Sequence, residues 1–158
     1  MGPKTCIDEY IELGIKQDNV TLLELGKEVT YKNVKIKAVY ADHGQLALDA
    51  IGVLLTIRGI KFYFSADTAY RPDMIKDIIN FETDIAVLSV NGKFGNLNCE
   101  EGAKIARDIK AKIAILCYFW TFKEHGGYPE LFGQEMTKYA PDCKTKFMSQ
   151  GELYIYSR

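Results

Sequence analysis

Lys61-Phe62-Tyr63-Phe64-Ser65-Ala66-Asp67-Thr68 is the stretch around which the chain is organised. From Ile60 to Phe64 every residue except Lys61 is apolar, aromatic or β-branched. Such a run suits a buried strand and is too short for an ordinary helix. It stops abruptly at small and acidic residues. In α/β proteins ligands collect in the crevice beyond the carboxyl ends of strands, so Asp67 is the first candidate for chemistry. The competing reading makes Asp67 the cap of a turn or of the next helix.

Outward from that strand, Ile51–Ile57 forms its hairpin partner across a two-residue Arg58-Gly59 turn. Upstream, Val34–Tyr40 alternates as a half-exposed strand, Val29–Tyr31 is a short strand, and Val20–Leu25 another. Pro3–Leu13 opens the chain as a helix with Pro3 in its first turn. Downstream come a helix over Pro72–Asn80 and an apolar strand over Ile85–Val90. A loop rich in Gly and Asn follows, then a helix that Asn98 caps and that buries Ala103, Ala106 and Ile109. Ile113–Cys117 is a second apolar strand, and Pro129 starts a helix reaching Tyr139. Lys144–Phe147 and Leu153–Tyr156 close the chain as strands. Antiparallel strands followed by strand–helix alternation predict an α+β domain: one mixed sheet with helices on one face.

Composition narrows the function. The 158 residues suit one domain with one core, and 20 Lys and Arg balance 21 Asp and Glu. No basic stripe recommends nucleic acid, and no apolar run approaches the ~20 residues that span a bilayer. With no apolar leader at the N-terminus, the expectation is a cytoplasmic protein. The four cysteines, Cys6, Cys99, Cys117 and Cys143, form no CxxC pair and read as buried free thiols. There are only two histidines, His43 and His125, which limits metal chemistry.

Several words of the sequence together resemble the metallo-β-lactamase fold (an αββα sandwich), in particular the branch holding the L-ascorbate-6-phosphate lactonase and related metal-dependent hydrolases. They are Gly2-Pro3 with Cys6, Ala41-Asp42-His43-Gly44 followed by Asp49-Ala50-Ile51-Gly52, and Tyr63-Phe64-Ser65-Ala66-Asp67-Thr68. Asn91-Gly92 with Gly95-Asn96 and Trp120-Thr121-Phe122-Lys123-Glu124-His125-Gly126-Gly127 complete the set. The resemblance implies half of that fold, its C-terminal half. The family's His-x-His-x-Asp-His motif, which supplies most of its metal ligands, is not in this sequence.

The resemblance places Asp67 where the family has a carboxylate bridging two metals. It places Ala66 where the family has Gly, and Tyr118 where the family has its last His ligand. A phenol is a poor ligand for Zn²⁺ at neutral pH. His43 and His125 fall near the site, with Asp42 as a further oxygen donor. The candidate metal set is therefore Asp67, His43 and His125, for zinc or manganese, and the isolated chain is expected to hold no metal. Candidate substrate contacts are Asn91, Asn96 and Tyr118.

Each of these residues has a plainer reading. His43 can be bonded to its loop, His125 can precede a helix, and the Asn/Gly loop can simply join strand to helix. Tyr118–Phe122 reads as core or interface packing and Cys117 as a buried thiol. The expectation is a hydrolase relative that is inactive as an isolated chain. The alternatives are a lactonase or phosphodiesterase whose site is completed across a dimer or by a separate N-terminal half, and a single-metal binding module. A half-fold would leave an apolar sheet face bare, which a second copy in a two-fold dimer covers most cheaply.

Overall fold

The computed structural model describes residues 1–157. Seven strands form one sheet in sequence order: β1 (Glu28–Tyr31), β2 (Val34–Tyr40), β3 (Ile51–Ile57), β4 (Ile60–Phe64), β5 (Ile85–Ser89), β6 (Ile113–Cys117) and β7 (Lys144–Lys146). The first four pair antiparallel, and β4 to β7 pair parallel. The sheet is mixed, as expected. The hairpin turn Arg58-Gly59 has φ values of 51° and 81°, the two left-handed residues of a type I′ turn whose twist suits the flanking strands.

The helices are α1 (Lys4–Glu12), α2 (Lys76–Ile79), α3 (Cys99–Asp108) and α4 (Pro129–Tyr139). α3 begins with a reciprocal capping box between Asn98 and Glu101. Its Ala103, Ile105 and Ala106 join Phe132 and Met136 of α4 against Leu54, Tyr63, Ala86, Leu88, Ala114 and Leu116 of the sheet. These buried residues form the core, on one face of the sheet.

Period-two alternation sends the other residues of each strand to the opposite face. Cross-strand register aligns Val53 with Phe64, Leu55 with Phe62, Phe62 with Ile85, Phe64 with Val87, and Val87 with Ile115. This second layer is also apolar, yet most of its members are half-buried and Phe64 is exposed. A shallow apolar hollow lies there, walled by Phe62, Val87, Ile115, Met148, Tyr154 and Tyr156.

Four expectations are corrected. Val20–Leu25 is no strand: Leu22 makes a single bridge to Gly2. The helix placed over Pro72–Asn80 shrinks to the one turn of α2, which has no side-chain cap. Leu153–Tyr156 joins no ladder: Tyr154 and Tyr156 lie against the sheet face while Leu153 and Ile155 point outward. All four cysteines are free, but only Cys99 is fully buried and Cys6 is exposed.

Candidate active site

The loops that leave β2 and β4 are locked together, and this sets the site. The Asp42 backbone N–H donates to Thr68 Oγ1 at 2.9 Å, and the Ala69 N–H donates to the Asp42 carbonyl at 2.7 Å. Residues 42 and 68 therefore face each other, and so do their neighbours. His43 Nε2 lies 3.9 Å from Asp67 Oδ2. The imidazole is mostly buried and its Nδ1 has no partner, while the carboxylate is partly open to solvent. Asp67 makes no cap: among the described residues its one ion pair is with His43.

The turn that presents Asp67 is strained. Ala66 has φ 52°, a left-handed conformation that costs a residue with a Cβ about 1–2 kcal/mol. Tyr118 (φ 57°) and Trp120 (φ 54°) share this conformation beyond β6.

The Asp42 carboxylate has partners of its own. It accepts from Arg71 Nε at 2.5 Å and from the Gly44 N–H at 3.0 Å. The Arg71 bond first, then the Gly44 bond, hold its carboxyl below the ordinary carboxylate range.

The ends of β4, β5 and β6 meet beside Asp67. The Ser89 N–H donates to Ser65 Oγ at 3.0 Å, and Ser89 Oγ lies 3.7 Å from Cys117 Sγ. Burial pushes the Cys117 thiol up. Its bond with Ser89 partly offsets this, and the negative charge of Asp67 adds to the rise. Cys117 thus stays a thiol at neutral pH and is no ready nucleophile.

His125 sits in the adjoining loop, buried. Its ring meets Phe122, Tyr118 and Phe94 edge-on at 5.0, 5.1 and 5.9 Å. The Gly126 N–H donates to the Asn91 carbonyl at 2.7 Å, which ties this loop to the one after β5. Gly127 is pressed so closely on the Val90 carbonyl that a Cβ would sit 1.7 Å from its oxygen. Asn91 and Asn96 are buried, and Asn91 Nδ2, Asn96 Oδ1 and His125 Nδ1 all lack partners. The aromatic stretch is not core: of Tyr118–Phe122, Phe119 alone packs against the core, while Tyr118, Trp120 and Phe122 are exposed. Sequence reasoning missed Ser89, whose side chain joins two strand ends, and Arg71, which clamps Asp42. Neither carries a signal in the sequence, because each acts through a contact more than 20 residues away.

Residues 7–118 match the Beta-lactamase superfamily domain. The chain belongs to this superfamily. Among relatives of this β-lactamase superfamily member is a protein of Methanobrevibacter smithii named UPF0173 metal-dependent hydrolase. It is 27% identical over 147 residues, which cover 85% of this chain and 61% of the relative. A protein of Thermoplasma acidophilum with the same family name is 26% identical over 138 residues, covering 83% and 60%. The chain thus spans about three fifths of the length of these curated relatives. In fold it is similar to a metallo hydrolase from the hyperthermophilic archaeon Ignicoccus hospitalis (TM-score 0.78, 15% identity, 96% of this chain and 65% of that one). It is likewise similar to the metallo-beta-lactamase fold protein YhfI of Bacillus subtilis (TM-score 0.75, 16% identity, 96% and 62%). The metallo-β-lactamase fold expected from the sequence is therefore the fold of this chain.

The relatives' name implies a metal. A stable site needs three or more converging N, O or S ligands. Here His43 and Asp67 approach each other, and the Asp42 carboxylate is held by Arg71. His125 is ringed by aromatics, and Tyr118 offers a phenol. Among the described residues no group of three or more His, Cys, Asp or Glu side chains is placed to hold an ion. These residues fit one edge of a metal site and do not fit a whole one.

Proposed function

We propose that this chain supplies the His43–Asp67 edge of the metal site of a hydrolase, and that the remaining donors come from polypeptide beyond the described residues. The reading rests above all on the 3.9 Å approach of His43 to Asp67 at the end of β4, with Nδ1 of the imidazole left free. It is supported by the metal-dependent hydrolases among the relatives and by the greater length of those proteins. On this reading the chain corresponds to the C-terminal half of the fold and lies nearest the lactonase-like branch, from its motif words. Alone it is inactive, because two donors do not hold a reactive ion. Zinc and manganese are the metals to test. The half-open apolar sheet face is the surface on which the completing polypeptide packs.

Metal content by inductively coupled plasma analysis and hydrolysis of bis(4-nitrophenyl) phosphate and of a γ-lactone test this. The chain is measured alone and co-expressed with the part of the Methanobrevibacter relative that it does not match. Expected are less than one ion per chain and no turnover alone, with both gained in the complex and both lost in Asp67→Ala. Two ions bound around Asp67 in the chain alone would overturn the reading, as would turnover that survives Asp67→Ala.

A further inference from the structure

We infer that the exposed aromatic side chains of the two loops beyond β5 and β6 form a subsite for an aryl group of the substrate. This rests on the hydrolase reading and narrows it to a substrate class. Phe94 stands on the loop after β5, and Trp120 and Phe122 on the loop after β6. They are 56%, 56% and 57% exposed. Large rings usually leave water, and contiguous exposed ones mark a surface that binds something.

These rings are held outward, not left loose. Phe94 has φ 55°, Tyr118 φ 57° and Trp120 φ 54°, left-handed conformations that persist only where the surroundings impose them. The surroundings are on hand. The His125 N–H donates to the Phe122 carbonyl, the Gly126 N–H to the Asn91 carbonyl, and Gly127 lies flat on Val90. His125 is the hub on which Phe94, Tyr118 and Phe122 rest edge-on.

The loops are continuous with the candidate active site. Tyr118 directly follows Cys117, whose Sγ lies 3.7 Å from Ser89 Oγ, and the Ser89 N–H donates to Ser65 Oγ, two residues before Asp67. A small molecule held at Asp67 would lie beside these loops, and an aryl group offers the offset-stacked and edge contacts that their rings favour. In the same two loops Asn91, Asn96 and His125, each more than nine-tenths buried, keep one polar atom apiece without a partner.

Trp120 is the sole tryptophan, so its emission reports on this subsite alone. The test is titration of the metal-free full chain with benzamide, against cyclohexanecarboxamide as the saturated counterpart. Expected is a saturable change in Trp120 emission with benzamide, several-fold weaker with the saturated amide. Phe94→Ala and Phe122→Ala should each weaken it roughly threefold to tenfold, the worth of one aromatic contact. Tyr154→Ala, on the sheet face, should leave it unchanged, with circular dichroism confirming that each variant is folded.

Emission that does not saturate, equal binding of the two amides, or unchanged affinity in both Phe variants would overturn the subsite. So would emission that depends on protein concentration and a dimer that Trp120→Ala dissolves, which would make the rings a contact between copies. Metal content under Asp67→Ala is a separate readout, so either reading can fail without the other.

Discussion

Asp42 holds the site together without facing it. Its backbone ties the β2 loop to Thr68 and Ala69, and its carboxylate is spent on Arg71 and Gly44. Those bonds hold its folded pKa below the ordinary 3.8. A carboxylate with a depressed folded pKa contributes stability above its unfolded value and loses it as pH falls through the folded one. Asp42→Asn should therefore lower stability at neutral pH and flatten its pH dependence below about pH 4. Urea midpoints of both proteins from pH 2 to 7 measure this, and parallel curves would refute it. Ala66 offers a second check. Its left-handed turn costs about 1–2 kcal/mol, and Gly removes that while loosening the unfolded chain by about 0.4–1 kcal/mol. Ala66→Gly should thus raise stability by up to about 1.5 kcal/mol in thermal melts. Asp67 was legible in the sequence as an acid at a strand end. Its approach to His43 came only from the family resemblance, because it is set by hydrogen bonds between positions 42 and 68, which no local pattern encodes.

α3 reaches the sheet through a glycine. A Cβ on Gly102 would lie 2.9 Å from Val90 Cγ2 and 3.1 Å from Phe132 Cε2, so helix, strand and α4 close on one backbone surface. Gly102→Val should cost about 2–3 kcal/mol through overpacking. Gly102→Ala should cost less, since Ala returns up to about 1 kcal/mol of helix propensity. Thermal melts of the two variants check the order, and equal melting points would mean that the contact yields freely. Elements that carry their own instructions were readable. β2, β3, β4, β6 and α4 have the bounds that alternation, the Arg58-Gly59 turn and Pro129 suggest. The elements that failed needed a partner. Val20–Leu25 and Leu153–Tyr156 have strand-forming residues, but strand propensity expresses fit to a neighbouring strand, and neither finds one. The short α2 has no side-chain cap to extend it.

The whole molecule keeps one apolar layer in a core and leaves the other half-open. Val53, Leu55, Phe62, Phe64, Val87 and Ile115 are aligned by strand register on the open face, and the Phe62 and Phe64 rings stack at 6.3 Å. An open apolar face was the expectation that the resemblance to half of a sandwich carried. What partly covers it was not foreseen: Met148, Tyr154 and Tyr156 come from the C-terminal segment, where the sequence suggested a further strand. For the isolated chain the second copy is at hand, and two sheet faces meeting about a two-fold axis would bury the same side chains on both. Apolar burial is worth roughly 25 cal/mol per Å², so even partial closure of this layer favours pairing. A charge at its centre should oppose it, because an unpaired carboxylate in an apolar contact must be desolvated. Sedimentation at micromolar concentration should therefore show the parent as a dimer and Phe62→Glu with Val87→Glu as a monomer, both folded by circular dichroism. If the completing segment of the hydrolase site is supplied, it competes for this face and the dimer should dissociate. A parent that stays monomeric and binds no hydrophobic dye would mean that Met148, Tyr154 and Tyr156 already shield the layer enough.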